Sequence, residues 1–122
     1  MANYYNTGAL QKKSYDFALR IVNAHNYLLG KNEFVLSKQL LRSGTSIGAN
    51  CRESKNAQST LDFVNKLNIA LKEADETAYW LELLHDGQFI TEESFESIYK
   101  DCIELVKLLT KIIKTTKEKN IQ

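Results

Sequence analysis

Not one proline interrupts this 122-residue chain, and its five glycines are Gly8, Gly30, Gly44, Gly48 and Gly87. An all-β fold is punctuated by turn residues roughly every ten positions, so segments this long without Gly or Pro default to helix. Hydrophobic spacing then sets where the helices run. Over 10–29, Ser14, Tyr15, Ala18, Ile21, Val22, His25 and Leu29 recur at i, i+3, i+4, i+7, and Gly30 stands where a left-handed C-terminal cap is expected. A second helix is expected over 35–56, with Leu36, Leu40, Ile47 and Cys51 on one face. Its middle, Ser43 to Ala49, has little side-chain bulk, and each glycine there costs about 1 kcal/mol of helix propensity. Some close packing must offset that cost.

The third helix, over 60–86, has Ser59 or Thr60 as its cap, Asp62 in its first turn, and a stripe of Phe63, Val64, Leu67, Ala70, Leu71, Ala74, Ala78 and Leu81. Asp86-Gly87 ends it. Thr91 caps a fourth, over 91–117, where Glu92 and Glu93 meet the positive end of the helix dipole. Its stripe is Phe95, Ile98, Cys102, Leu105, Val106, Leu109, Ile112 and Ile113, and Lys111, Lys114 and Lys117 lie near its end. Four amphipathic helices joined by short connections predict an all-α, antiparallel up-down four-helix bundle, one domain over 1–122. With 43% hydrophobic residues such a domain builds a core without disulfide or metal staples. The start of the chain reads as neither leader nor membrane span, which gives a cytoplasmic expectation, with Cys51 and Cys102 reduced.

A bundle helix needs one apolar stripe, yet helix three also has Ile69, Tyr79, Trp80 and Leu83 on its other side, beside Glu73 and Glu76. A bulky aromatic among polar groups is the composition of an interface core, so a homo-oligomer is expected through these six residues. The alternative cover is the N-terminal run Asn3-Tyr4-Tyr5-Asn6. Gly44 and Gly48, four apart, allow a close backbone approach, either by another subunit or by helix one or three of the same chain.

The net charge of +1 hides a sorted distribution: +5 over 1–58, −8 over 59–104 and +4 over 105–122. Lys38, Arg42 and Arg52 share one face of helix two. Lys107, Lys111 and Lys114 line helix four behind Lys100 and Glu104. The six named cations outside Lys100 form candidate surfaces for phosphate backbones, as RNA or DNA, or for a protein that processes nucleic acid; the plain alternative is a solvated face with i, i+4 pairs such as Lys100 with Glu104.

Catalytic patterns are sparse. The chain contains no HExxH or CxxC, a single Glu-x-x-His (Glu82 to His85) where a di-iron bundle needs two, and no Gly-rich phosphate loop, so no metal, cofactor or small-molecule substrate is expected. Ser43, Thr45 and Ser46 lack a nearby base and read as packing residues, and His25 and His85 as hydrogen-bonded core residues. One string, Arg20 to His25, resembles the arginine–histidine spacing of metal-independent HEPN ribonucleases, although Ile21 stands where those have a polar residue. The alternatives to a non-enzymatic binding protein are therefore a ribonuclease using Arg20 and His25, or a purely protein-binding structural adaptor.

Helix two carries a more extended resemblance. Gln39-Leu40-Leu41-Arg42-Ser43 followed by Thr45-Ser46-Ile47-Gly48-Ala49-Asn50-Cys51-Arg52-Glu53-Ser54 resembles the segment Q-L-x-R-A-x-x-S-I-x-x-N-I-x-E-G of the bacterial four-helix-bundle proteins first noticed in 23S rRNA intervening sequences, once labelled S23 ribosomal proteins. The stretch Asp62 to Ala74, then Glu76-Thr77 and Trp80-Leu81, is similar to that family's helix-three block, and the likeness spans roughly 10–115. Ser54 replaces the motif glycine and Gly48 stands where proline is common. The resemblance implies a ring-like homopentamer without established enzymatic activity, related to the accessory variability determinant of diversity-generating retroelements, a basic partner of a reverse transcriptase. By the same resemblance Ser46, Asn50 and Glu53 occupy the motif's polar positions, with a structural task.

Overall fold

The computed structural model describes residues 7–121, and the side chains of residues 7–119. Four helices, α1 (Gly8–Gly30), α2 (Val35–Ser54), α3 (Thr60–Asp86) and α4 (Glu92–Ile121), account for nearly all of them, and no strand occurs among the described residues. Each helix packs on its chain neighbours, and α4 closes back on α1; the Cα atoms of the diagonal pairs α1/α3 and α2/α4 stay more than 8 Å apart. This is an up-down bundle with its weakest seam between α1 and α4. The α4 helix runs past the expected 117 because Lys, Glu and Asn follow with no breaker.

The helix boundaries have identifiable causes. At the start of α3, Ser59 Oγ accepts from the Asp62 N–H at 3.0 Å, and the Asp62 carboxylate accepts from the Gln58 N–H at 3.1 Å. Thr91 Oγ1 likewise accepts from the Ser94 N–H at 3.1 Å. Helices α1 and α3 both end in a Schellman closure, in which the N–H groups of Glu33 and Phe89 donate to the carbonyls of Leu28 and Leu84. The left-handed residue of each is not glycine. Gly30 lies inside α1, and Asn32 (φ 63°) and Gln88 (φ 67°) take that conformation instead. Asn is among the few residues that visit it readily. Gly87 serves close approach: a Cβ there would stand 3.0 Å from the Leu83 carbonyl oxygen and 3.3 Å from the Phe89 ring.

The core contains Leu10, Phe17, Ile21 and Leu28 from α1, Leu40, Ile47 and Cys51 from α2, and the expected stripes of α3 and α4. For α1 the expected stripe is corrected. Tyr15 is 60% exposed, Val22 and Leu29 also face outward, and Phe17 and Leu28 occupy the core. The reason is that α1 has two apolar faces, so periodicity alone does not say which one the bundle buries.

Gly44 and Gly48 serve this same packing. A Cβ on Gly44 would come within 2.7 Å of Ile21 Cγ1, and one on Gly48 within 3.2 Å of the Ser14 carbonyl oxygen. The glycines thus bring α1 and α2 together within the chain, and the burial of Ile21 and Ile47 offsets their propensity cost. Small hydroxyls support this tight packing. Ser14, Ser54 and Thr116 are buried and donate to carbonyls of their own helix, buried Ser37 donates to the Glu33 carbonyl just before α2, and Ser43 shares a 2.9 Å hydrogen bond with Thr77 of α3.

Both thiols are buried and free. Burial pushes Cys51 up to about 11, opposed by the Ser14 hydroxyl, and pushes Cys102 up to about 12, with Asp75 and Glu82 adding to the effect. Cys102 also donates to the Ala74 carbonyl at 3.3 Å. In the unfolded chain both titrate near the ordinary 9.0, so above that pH the unfolded state has released protons that the folded state retains. The thiol contribution to stability is therefore complete below pH 9 and is lost as pH rises through about 11 and 12. Urea unfolding across this range is expected to show a decline that becomes shallower in the Cys51→Ala/Cys102→Ala variant, and equal slopes for both proteins would refute it.

Candidate nucleic-acid interface

The topology divides the six basic residues singled out above. Contacts between helices establish which positions lie level: Gly48 beside Ser14, Arg42 beside Glu73 and Glu76, Cys102 beside Ala74, and Lys13 opposite Glu104. A cross-section near the middle of the bundle therefore leaves 7–19, 45–72 and 104–121 on one side and 20–44 with 73–103 on the other. Arg52, Lys107, Lys111 and Lys114 fall in the first half. Lys38 and Arg42 fall in the second.

Arg42 is engaged within its own chain. Its guanidinium pairs with Glu73 at 3.1 Å and with Glu76, and its Nε donates to Gln39. These half-exposed pairs are worth about 0–1 kcal/mol each, but they neutralise the one arginine expected to meet phosphate on this face. They also engage Glu73 and Glu76, two of the six residues expected at a subunit interface, within the chain. By contrast, Lys107, Lys111 and Lys114 are exposed on one side of α4, and among the described residues none has a carboxylate within 4.0 Å. The i, i+4 pair expected for Lys100 does not form; Glu104 instead faces Lys13 at 3.8 Å.

The motif residues of α2 hold structure locally. Asn50 Nδ2 donates to the Ser46 carbonyl at 2.9 Å and lies 3.1 Å from Ser46 Oγ, and Glu53 accepts from Lys66 of α3 at 3.2 Å.

Of the helix-three patch, Tyr79 is 54% exposed, and Ile69 and Leu83 are exposed as well. Trp80 is half-buried against the core, its indole N–H donating to Glu76 at 2.9 Å and its ring edge-on to Tyr79 at 5.0 Å. The run 3–6, the other candidate cover for this patch, lies outside the described residues. A second outward apolar face lies on α1, where Tyr15, Leu19 (53% exposed), Val22 and Leu29 follow i, i+4, i+7 spacing. Sequence reading assigned three of these to the core; the competing Leu10-Phe17-Ile21-Leu28 stripe was the signal that a second face existed.

Arg20 and His25 do not converge. Arg20 donates to Asp101 at 2.6 Å and to Ser97 on α4, while His25 Nδ1 lies 3.1 Å from the Ser37 carbonyl oxygen on α2. Five positions along a helix turn the side chains about 140° apart. Arg20 also borders a cavity of about 460 Å³ in the α1/α4 seam, floored by Leu28, Leu40, Leu84 and Ile98, where its charge is already balanced by Asp101. His85 pairs with Glu92 and stacks on Phe95 with ring centroids 4.3 Å apart. Among the described residues no cluster of three or more His, Cys, Asp or Glu is placed to hold a metal, and no helix is long and apolar enough to cross a membrane.

Comparison with known proteins accords with this architecture. A crystal structure of a protein of unknown function from the S23 ribosomal protein family of Bacteroides thetaiotaomicron is similar with a TM-score of 0.85 and 61% identity, over 85% of this chain and 97% of that one. No curated protein matches. The model of the 23S rRNA-intervening sequence protein family matches residues 8–111, which takes in the α2 motif, the α3 block and most of α4, and the chain belongs to that family.

Proposed function

We propose that the protein is a non-enzymatic homo-oligomeric bundle that binds nucleic acid, or a protein engaged with it, through its basic helix faces. The observation behind this reading is the row Lys107, Lys111 and Lys114, exposed and, among the described residues, free of carboxylate partners on a helix that also contributes Lys117 and Lys119. Cations that have no internal partner retain their full field for a polyanion.

The assembly part is supported by two outward apolar faces that differ in composition and lie on the diagonal helices α1 and α3. Two unlike faces on opposite sides of a subunit suit a heterologous contact, which closes into a ring when the rotation allows. A symmetric dimer would use only one of them.

The test is titration of structured RNA and duplex DNA at two salt concentrations. Binding is expected at low salt and to weaken as salt rises, with a loss of about tenfold or more in Lys107→Glu/Lys111→Glu/Lys114→Glu and a flatter salt dependence. No binding at low salt, or binding indifferent to salt, would refute phosphate contact. Light scattering on the same samples reports the assembly, and a monomer at micromolar concentration would remove that part.

A further inference from the structure

Resting on that reading, we infer that the nucleic acid docks end-on, against the half of the bundle that contains the start of α1, the α2–α3 connection and the end of α4, and not along the full length of a helix. The antiparallel topology regroups the chain's charges. Residues 7–19, 45–72 and 104–121 contain eleven basic and five acidic side chains, a net +6; residues 20–44 and 73–103 contain five and ten, a net −5. A molecule of total charge +1 is thus strongly polarised along its axis.

Distance lets the two halves act separately. The 20 residues of α2 alone span about 30 Å, some three to four Debye lengths at physiological salt. Phosphates at the basic end are therefore screened from the acidic end, and phosphates spanning both ends meet repulsion over half their path. The internal pairing of the cations reinforces the division. In the acidic half Arg20 and Arg42 are taken up by Asp101, Glu73 and Glu76. In the basic half Arg52, Lys55, Lys72, Lys107, Lys111, Lys114, Lys117 and Lys119 are exposed with no ion pair among the described residues.

Helices α2 and α4 each present lysines toward both ends, which supplies an internal control. Lys55, just past the end of α2, and Lys117 belong to the basic half; Lys38 and Lys100, on those same helices, belong to the acidic half. The experiment compares Lys55→Glu/Lys117→Glu with Lys38→Glu/Lys100→Glu by anisotropy of a fluorescent duplex RNA across a salt series, with circular dichroism melts to verify folding. All four residues are exposed, so both variants are expected to fold. The basic-half pair should bind about tenfold more weakly with a salt slope reduced by about 2, and the acidic-half pair should stay within about twofold of the parent. Equal losses in both pairs would overturn end-on docking while leaving nucleic-acid binding intact. Absence of binding by the parent protein would instead overturn the function proposed above. Displacement of the RNA by poly-glutamate at equal charge concentration would assign the basic end to an acidic polypeptide, and growth in particle mass at low salt without RNA would assign it to the acidic end of another copy; either result overturns the nucleic-acid assignment.

Discussion

Replacing Gly44 by leucine is expected to destabilise the protein by about 3 kcal/mol, a fall of roughly 10 °C in melting temperature, because the first atom added already meets Ile21 at 2.7 Å. Ile21 is fully buried and contributes three side-chain carbons to that contact, so neither partner has room to yield. The matching change supplies the decisive control. Ile21→Ala alone leaves a cavity and costs about 2–5 kcal/mol, whereas Ile21→Ala/Gly44→Leu conserves volume across the α1/α2 contact and should cost less than either single change. Denaturant melts at fixed protein concentration measure all three. If Gly44 instead served a subunit contact, the single variant would lose particle mass and the pair would show no coupling.

The second large effect concerns the register of α1. Phe17→Ala should cost about 3–5 kcal/mol, since the ring is 1% exposed and its removal leaves a void in the core. Tyr15→Ala, two positions away, should change subunit stability by no more than about 0.5 kcal/mol. Where assembly covers the α1 face, the tyrosine variant will show its effect in particle mass and in the concentration dependence of melting. Comparable destabilisation by both variants at protein concentrations that favour the monomer would mean that the core uses the other face of α1.

These two positions show where sequence reasoning succeeded and where it ran out. Helices α3 and α4 were legible because each has one dominant stripe, a side-chain cap at Ser59 or Thr91, and carboxylates in the first turn. Their cores came out as expected. Helix α1 was misassigned because Tyr15-Val22-Leu29 and Leu10-Phe17-Ile21-Leu28 both satisfy helical spacing, and only the glycine-lined surface of α2 selects between them. The cap of α1 was misjudged in a related way, while α3 ends at Asp86 as expected. Glycine is the usual left-handed residue, yet closure of these Schellman turns fell to Asn32 and Gln88, because loop geometry sets the position that must turn left-handed.

The candidate site was legible in part. Exposure of Lys107, Lys111 and Lys114 follows from their placement opposite the α4 stripe. The neutralisation of Arg42 does not, since Glu73 and Glu76 lie some thirty residues away and become its partners only when α2 packs on α3. Nor do local patterns reveal that Glu53 is engaged by Lys66 of α3.

By itself the sequence determined the helices, the family and the near balance of charge, because periodicity, capping and motif order are properties of contiguous residues. Only the tertiary structure decided how that charge is arranged. Blocks of +5, −8 and +4 along the chain become halves of +6 and −5 along the bundle, because antiparallel helices place the beginning of one beside the end of the next. A sum over consecutive residues mixes the two ends of every helix, and the electrostatic field at a surface depends on which ends share it.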